Sequence, residues 1–229
     1  MDKVNDLIEK RKQQFEKLDL LVKSKFIEMF GDPALNPYKW EITTISNIVT
    51  DVRYGTSRPA VEGGKYPYLR MNNITFDGRL DLSELKHIDI PKCEIEKCLV
   101  RKEDVLFNRT NSIELVGKTC VFTLDENMVI AGYIIRVRLN KQILPIFFSC
   151  FMNSNIVKKQ LRNMAKGAVN QANINAQELQ GIKIYLPPIE IQNEFVCFVQ
   201  QTEKSKTRIK QSLEKFDILK KALMQKYFG

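Results

Sequence analysis

The ending of this chain is written twice. At an offset of 198 positions, residues 15–31 align with residues 213–229 with seven identities in seventeen, and several remaining pairs exchange one apolar residue for another. Such an echo marks a repeat: the chain reads as one unit of a longer array with the tail of the preceding unit attached.

Both copies carry a helical period. In the second, Phe195, Val199, Thr202, Lys206, Ile209, Leu213, Phe216, Lys220, Leu223 and Tyr227 advance by alternating steps of four and three, which sets them on one stripe of a helix. The same rule in the first copy gives Val4, Ile8, Arg11, Phe15, Leu18, Val22, Lys25 and Met29. A lone amphipathic helix is more often an ordinary core helix. Two matching seams in one chain instead predict two long helices forming an antiparallel, α-hairpin-like coiled coil used as a spacer. Pro187-Pro188 suits a helix start, with Glu190 and Glu194 at the positive end of its dipole, and Gly31-Asp32-Pro33 suits a helix end. The expected division is therefore 1–31 helix, 32–188 globular domain and 189–229 helix.

Charge points to the partner. The formal net charge is +9, unevenly spread: residues 32–126 carry 13 Lys/Arg against 15 Asp/Glu, whereas residues 127–188 carry 8 against 1. A basic excess concentrated in one segment favours a polyanion. The five cysteines are odd in number and scattered, with no apolar leader before them, which favours reduced thiols in a cytoplasmic protein. His87, Cys93 and Cys98 lack zinc-site spacing and a fourth ligand, so no metal is expected. No run of eighteen apolar residues exists, so no membrane span is expected.

Along the chain, Asn36-Pro37-Tyr38 resembles the base-gripping loop of amino-methyltransferases but lacks its second proline and any Gly-rich cofactor loop. It reads as a turn, with Trp40 a core anchor. Val52 to Pro59 is a polar loop carrying Arg53, Tyr54, Thr56 and Arg58. Alternation over Tyr66 to Ile74 puts Tyr68, Arg70 and Asn72 on one face of a strand and Leu69, Met71 and Asn73 on the other. Phe76 to Asp104 reads as acidic, turn-rich and structural. Its Glu84-Leu85-Lys86 is the minimal tail of a nuclease motif without the upstream Pro-Asp, so no catalytic residue is assigned.

A strand at Val105–Phe107 runs into Asn108, Arg109, Thr110, Asn111 and Ser112. Asn and Arg can make bidentate contacts to base edges, and Ser, Thr and Lys suit phosphate. The competing reading is an Asx-rich turn that satisfies its own backbone. Val121–Leu124 and Val129–Leu139 read as a hairpin turned at 125–127, Ile146–Met164 as one amphipathic helix, and Ile182–Leu186 as a last strand. Between the last two, Lys166 to Asn175 is amide-rich and forms a second polar surface.

These stretches together resemble the specificity subunit of type I restriction-modification systems, and one half of it. The resemblance rests on Pro67-Tyr-Leu-Arg-Met-Asn-Asn-Ile74, Asp104 to Ser112, Leu115-Val-Gly-Lys118, Asn170-Gln-Ala-Asn-Ile-Asn175, Leu186-Pro-Pro-Ile-Glu-Ile-Gln192 and the Phe30-Gly-Asp-Pro33 helix end, in the family's order. Ile191 departs from the acidic residue expected after Glu190. The resemblance implies an α+β target recognition domain with a β-helix-like twisted sheet body, and conserved-region helices that space two such domains. It also implies a non-catalytic role. The partners would be double-stranded DNA, a methylase subunit and a restriction subunit, with S-adenosylmethionine, ATP and Mg²⁺ used by those subunits and not by this chain. Two copies could associate through the helices and address a palindrome. Expected base contacts are Arg58, Tyr68, Arg70, Asn72, Arg109, Asn111, Gln171 and Asn173; expected phosphate contacts are Thr56, Ser112, Lys118, Lys158, Arg162 and Lys166. The alternatives are a stand-alone DNA methyltransferase or nuclease, and a basic coiled-coil adaptor for nucleic acid or protein.

Overall fold

The structure, a computed structural model, describes residues 2–165 and 171–228, with the side chains of residues 3–165 and 171–225. These fall into two units, one made of residues up to Phe30 together with those from Asn193 on, the other of Gly31–Gln192.

The first unit is helical. Helix α1 spans Asp2–Phe30, and α6 spans Ile189–Phe228, with its first turn counted in the other unit. The Phe195 ring lies edge-on to Phe26 and Phe30, with centroids 5.6 and 5.3 Å away. Farther along α6, Lys206 Nζ reaches Asp19 Oδ1 at 2.6 Å. Higher numbers on one helix meet lower numbers on the other, so the two run antiparallel. Phe26, Phe30 and Phe195 are almost fully buried. Among described side chains, every position of both expected stripes is buried or half-buried, while Leu20 and Ile218, off the stripes, are exposed. The side chain of Tyr227 lies outside the described residues.

Among the charged members of the seam with described side chains, Lys206 is the buried one, 4% exposed and held also by Glu203 at 2.6 Å. Losing Asp19 leaves a buried ammonium short of a counter-charge, whereas losing Lys206 leaves carboxylates that solvent reaches, Asp19 at 25% and Glu203 at 48% side-chain exposure. Asp19→Ala is therefore expected to destabilise the helical unit by roughly 1–3 kcal/mol, and Lys206→Met to be close to neutral. Denaturant unfolding followed by the helical circular dichroism signal checks the order of the two.

The second unit mixes helix and sheet. An antiparallel sheet has the order β2 (Val49–Tyr54), β10 (Ile134–Leu139), β6 (Val105–Asn108), β8 (Thr119–Val121). A mixed sheet has the order β4 (Lys86–Ile88), β3 (Tyr66–Leu69), β9 (Met128–Ile130), β5 (Leu99–Val100), with β3 and β9 parallel. Two short pairs complete it: β1 (Glu41–Thr44) with β12 (Lys183–Leu186), and β7 (Thr110–Asn111) with β11 (Ala172–Asn173). Helices α2 (Lys92–Cys98), α3 (Pro145–Met152), α4 (Asn155–Met164) and α5 (Ala176–Gln180) connect them. Val105, Leu106 and Phe107 on β6, and Ile134, Ile135 and Val137 on β10, are wholly buried, so these central strands are covered on both faces.

Several local expectations are corrected. The hairpin at 121–139 does not form: β9 leaves β8 and β10 for the mixed sheet, and the chain turns again at 131–133 before β10. The single helix at 146–164 is two, because Ser154 caps a new helix through Val157 N, while the Asn153 amide donates to Ser149 O and Thr119 O. The strand from Tyr66 stops at Leu69. Asn73 is buried, accepts from Arg70 N and donates to Asp81 O, tightening residues 71–73 into a 3-10 turn. The stretch 76–104 holds α2 and two strands. Trp40 is half-buried beside an exposed Tyr38, outside the core.

Candidate functional site

Four segments of the globular unit converge on a cavity of about 410 Å³. The end of β2 supplies Tyr54, followed by Gly55, Thr56 and Ser57; α2 supplies Glu94, Lys97 and Cys98; the link from β6 to β7 supplies Arg109; the link from β9 to β10 supplies Gly132. Arg109 sits with its guanidinium carbon 4.9 Å from the centroid of the Tyr54 ring. Its backbone is tied down by Arg109 N donating to Tyr133 O and Ile174 N donating to Arg109 O. Tyr54 is fixed in turn, its hydroxyl accepting from Ala176 N at 2.8 Å. The Nε of Arg109 is buried without a hydrogen-bond partner. At the rim, Arg58 forks onto Glu94, with Nε–Oε2 at 3.1 Å and Nη2–Oε1 at 2.6 Å. That hydrogen-bonded guanidinium holds the Glu94 carboxyl below the usual carboxylate range.

Next to the cavity, the two polar surfaces read separately in the sequence form one. Strand β11 pairs with β7, Ala172 opposite Asn111 and Asn173 opposite Thr110. Thr110 Oγ1 donates to Asn173 Oδ1 at 2.9 Å. The Asn111 amide donates to Asn108 Oδ1 and accepts from Ser112 N, so both of its ends are engaged. Gln171, Asn173 and Ser112 are exposed. The result is a short two-stranded edge whose outward side chains are amides and a hydroxyl, with Arg109 at the point where edge and cavity meet.

The other expected contacts lie elsewhere. Arg70 donates to Glu84 O, and Asn72 is exposed in the adjoining turn. Three of them are buried. Tyr68 is 4% exposed, its hydroxyl donating to Thr56 O and Arg58 O, with burial pushing its pKa up. Lys118 and Lys158 are each 6% exposed; Lys118 donates to Met71 O and Lys158 to Phe76 O. Burial pushes the Lys118 pKa down. These two lysines fasten residues 71–76. Thr56 is also buried and accepts from Arg58 N, but it lines the cavity. Arg162 is half-buried on α4. Lys166 lies outside the described residues.

Tyr54, Ser57 and Lys97 are additions from the structure. Tyr54 stood in a stretch recognised as polar, and Tyr-Gly before two hydroxyls was the available signal. Lys97 sits on a helix that alternation does not reveal. Among the described residues, no group of three or more His, Cys, Asp or Glu could hold a metal ion, and no helix is long and apolar enough to cross a membrane.

Comparison with known proteins gives a consistent picture. A family model described as the type I restriction modification DNA specificity domain matches residues 37–215. The chain is 28% identical over 196 residues to the provisionally named MjaX specificity subunit of Methanocaldococcus jannaschii, covering 84% of this chain and 46% of that protein. It is 25% identical over 190 residues to the EcoKI specificity subunit of Escherichia coli, covering 80% and 41%. The chain thus spans a little under half the length of these relatives. In fold it is similar to the HsdS subunit from Thermoanaerobacter tengcongensis, with a TM-score of 0.58 and 21% identity over 99% of this chain and 56% of that one. A chain from a type I restriction-modification assembly gives a TM-score of 0.63 and 18% identity over 99% and 55%.

Proposed function

From the premise that the chain belongs to the type I restriction-modification DNA specificity family, we propose that it is a non-catalytic module that gives an address on double-stranded DNA to enzymes carried by other subunits. The observation that carries this reading is the β7–β11 edge, where two amide-rich segments 63 residues apart are brought side by side next to an arginine on an aromatic platform. Amide side chains on a rigid two-stranded edge suit base edges in a major groove, where Asn and Gln pair bidentately with adenine. Gln171 and Asn173 are the readers, and Thr110 on the facing strand holds Asn173 by its Oδ1.

In this reading the helical unit is the antiparallel coiled-coil spacer and the docking element for a methylase subunit. The sheets form a twisted, β-helix-like body, and a restriction subunit joins the methylase. S-adenosylmethionine, ATP and Mg²⁺ serve those partners, and the assembly works in the cytoplasm. The test is to combine the chain with its methylase partner and S-adenosylmethionine and sequence the methylated positions in random DNA. One defined word is expected. Gln171→Ala and Asn173→Ala should each relax one or two positions of that word by about tenfold or more. Methylation or cleavage by this chain alone, or methylation without a preferred word, overturns the proposal.

A further inference from the structure

Six arginines of the globular unit, Arg53, Arg58, Arg79, Arg101, Arg136 and Arg138, each sit on an Asp or Glu side chain. Arg70, Arg109 and Arg162 have no such ion pair among the described residues, and of the three Arg109 lines the cavity. Among the described residues its guanidinium makes no ion pair and no side-chain hydrogen bond, and is held only by the Tyr54 ring. Lys97, in the same cavity, likewise has no ion pair or side-chain hydrogen bond among the described residues. The one acid lining the cavity, Glu94, already has both carboxylate oxygens engaged by Arg58. Two cations therefore share the cavity with a single carboxylate, itself paired to a third cation, beside the Ser57 hydroxyl.

From this we infer that the cavity is an anion site, and that its occupant is a single phosphodiester group of the DNA backbone, held by Arg109 and Lys97. A guanidinium lying against a ring keeps its N–H groups in plane, a fork that matches two oxygens of one group. The same fork also fits the edge of a guanine. The choice between them is made by Lys97: a neutral base edge needs one fork and leaves a second cation unpaired, whereas a phosphate satisfies both. Arg109 thus sets where the DNA lies, and the neighbouring β7–β11 edge reads it. This assigns Arg109 to position and not to sequence, against the expectation from its residue type, and it rests on the DNA-recognition reading.

The experiment compares the full chain with Arg109→Gln and Lys97→Gln on a panel of duplexes over a range of salt. Lys97 is exposed on α2, so its replacement leaves the fold intact. Each variant is expected to weaken every duplex by the same factor and to lower the slope of log affinity against log salt by about one. A change in which word is preferred, with the slope unchanged, assigns Arg109 to a base and overturns the inference; so does an unchanged affinity and slope. A second arm titrates inorganic phosphate and a nucleoside monophosphate. Weak binding that Arg109→Gln abolishes and duplex DNA displaces supports the site. Tight binding that DNA does not displace makes the occupant a free phosphorylated molecule and overturns the diester. If the unaltered chain prefers no duplex while phosphate binding still depends on Arg109, the recognition reading falls and the anion site stands.

Discussion

Arg136→Met is expected to destabilise the globular unit by roughly 3–5 kcal/mol, the cost of stripping one partner from a buried charge network. Arg136 is 1% exposed at the middle of β10, between β2 and β6. Its Nη2 donates to Asp51 Oδ2 at 2.6 Å, and Nη1 donates to the carbonyl oxygens of Glu96 and Leu99. The Asp104 carboxylate, 4.0 Å from its Nε, is buried as well, and is held by Arg138 and by Arg101 N. Methionine fills the space but removes this donor from the carbonyls of Glu96 and Leu99 and leaves Asp51 with Arg53 alone. Unfolding in denaturant, read from the fluorescence of Trp40, the single tryptophan, measures the loss. The pH profile gives a second check. Burial pushes the Asp51 carboxyl up, and hydrogen bonds and charge from Arg53 and Arg136 outweigh it, holding the pKa below the ordinary aspartate value. A depressed carboxyl contributes stability above its unfolded pKa and loses it as pH falls through the folded value. The acid side of the stability profile should therefore be shallower in Arg136→Met.

Gly55→Ala is expected to cost about 3 kcal/mol or more, because the added methyl meets backbone and not a side chain that could turn away. A Cβ at residue 55 would lie 2.1 Å from Ile130 O, 2.3 Å from Ala131 O and 2.5 Å from Ala131 C. Relief requires the end of β2 and the β9–β10 link to separate. That strains Thr56 N to Ile130 O at 2.9 Å and Gly132 N to Thr56 O at 2.7 Å, the bonds that hold two cavity walls together. Stability and affinity for duplex DNA should fall together. Gly63 serves as the control: nothing lies within 4 Å of its Cβ position, so Gly63→Ala carries only the strain of its φ of +69°, about 1 kcal/mol. The ratio between the two, measured by the same fluorescence titration, is the test.

The parts of this architecture that were legible in the sequence are local. The alternating four and three steps of α1 and α6 arise from one helix surface, so Phe195, Val199 and Lys206 could be placed without knowing what they touch. The polar run from Asn108 to Ser112 stands out in sequence because it follows an apolar strand directly, whereas the engagement of Asn111 by Asn108 and Ser112 emerges only in the structure. The pairing of β7 with β11 joins residues 63 apart through two positions per strand, too few for any periodicity. The fate of a charge is equally hidden. Lys118, Lys158 and Arg136 differ from surface cations only in the carbonyls and carboxylates that fold around them, and those partners lie 37, 40, 47, 82 and 85 positions away in the chain.

Glu41 and Leu186 face each other across β1 and β12, so the polypeptide enters and leaves the intervening body through one clasp about 5 Å wide. Everything from Ile42 to Tyr185 is then a cassette. A different insert closed by the same two strands would connect to the flanking chain without altering it, and, on the proposed recognition role, the DNA word would change by graft in one step instead of residue by residue.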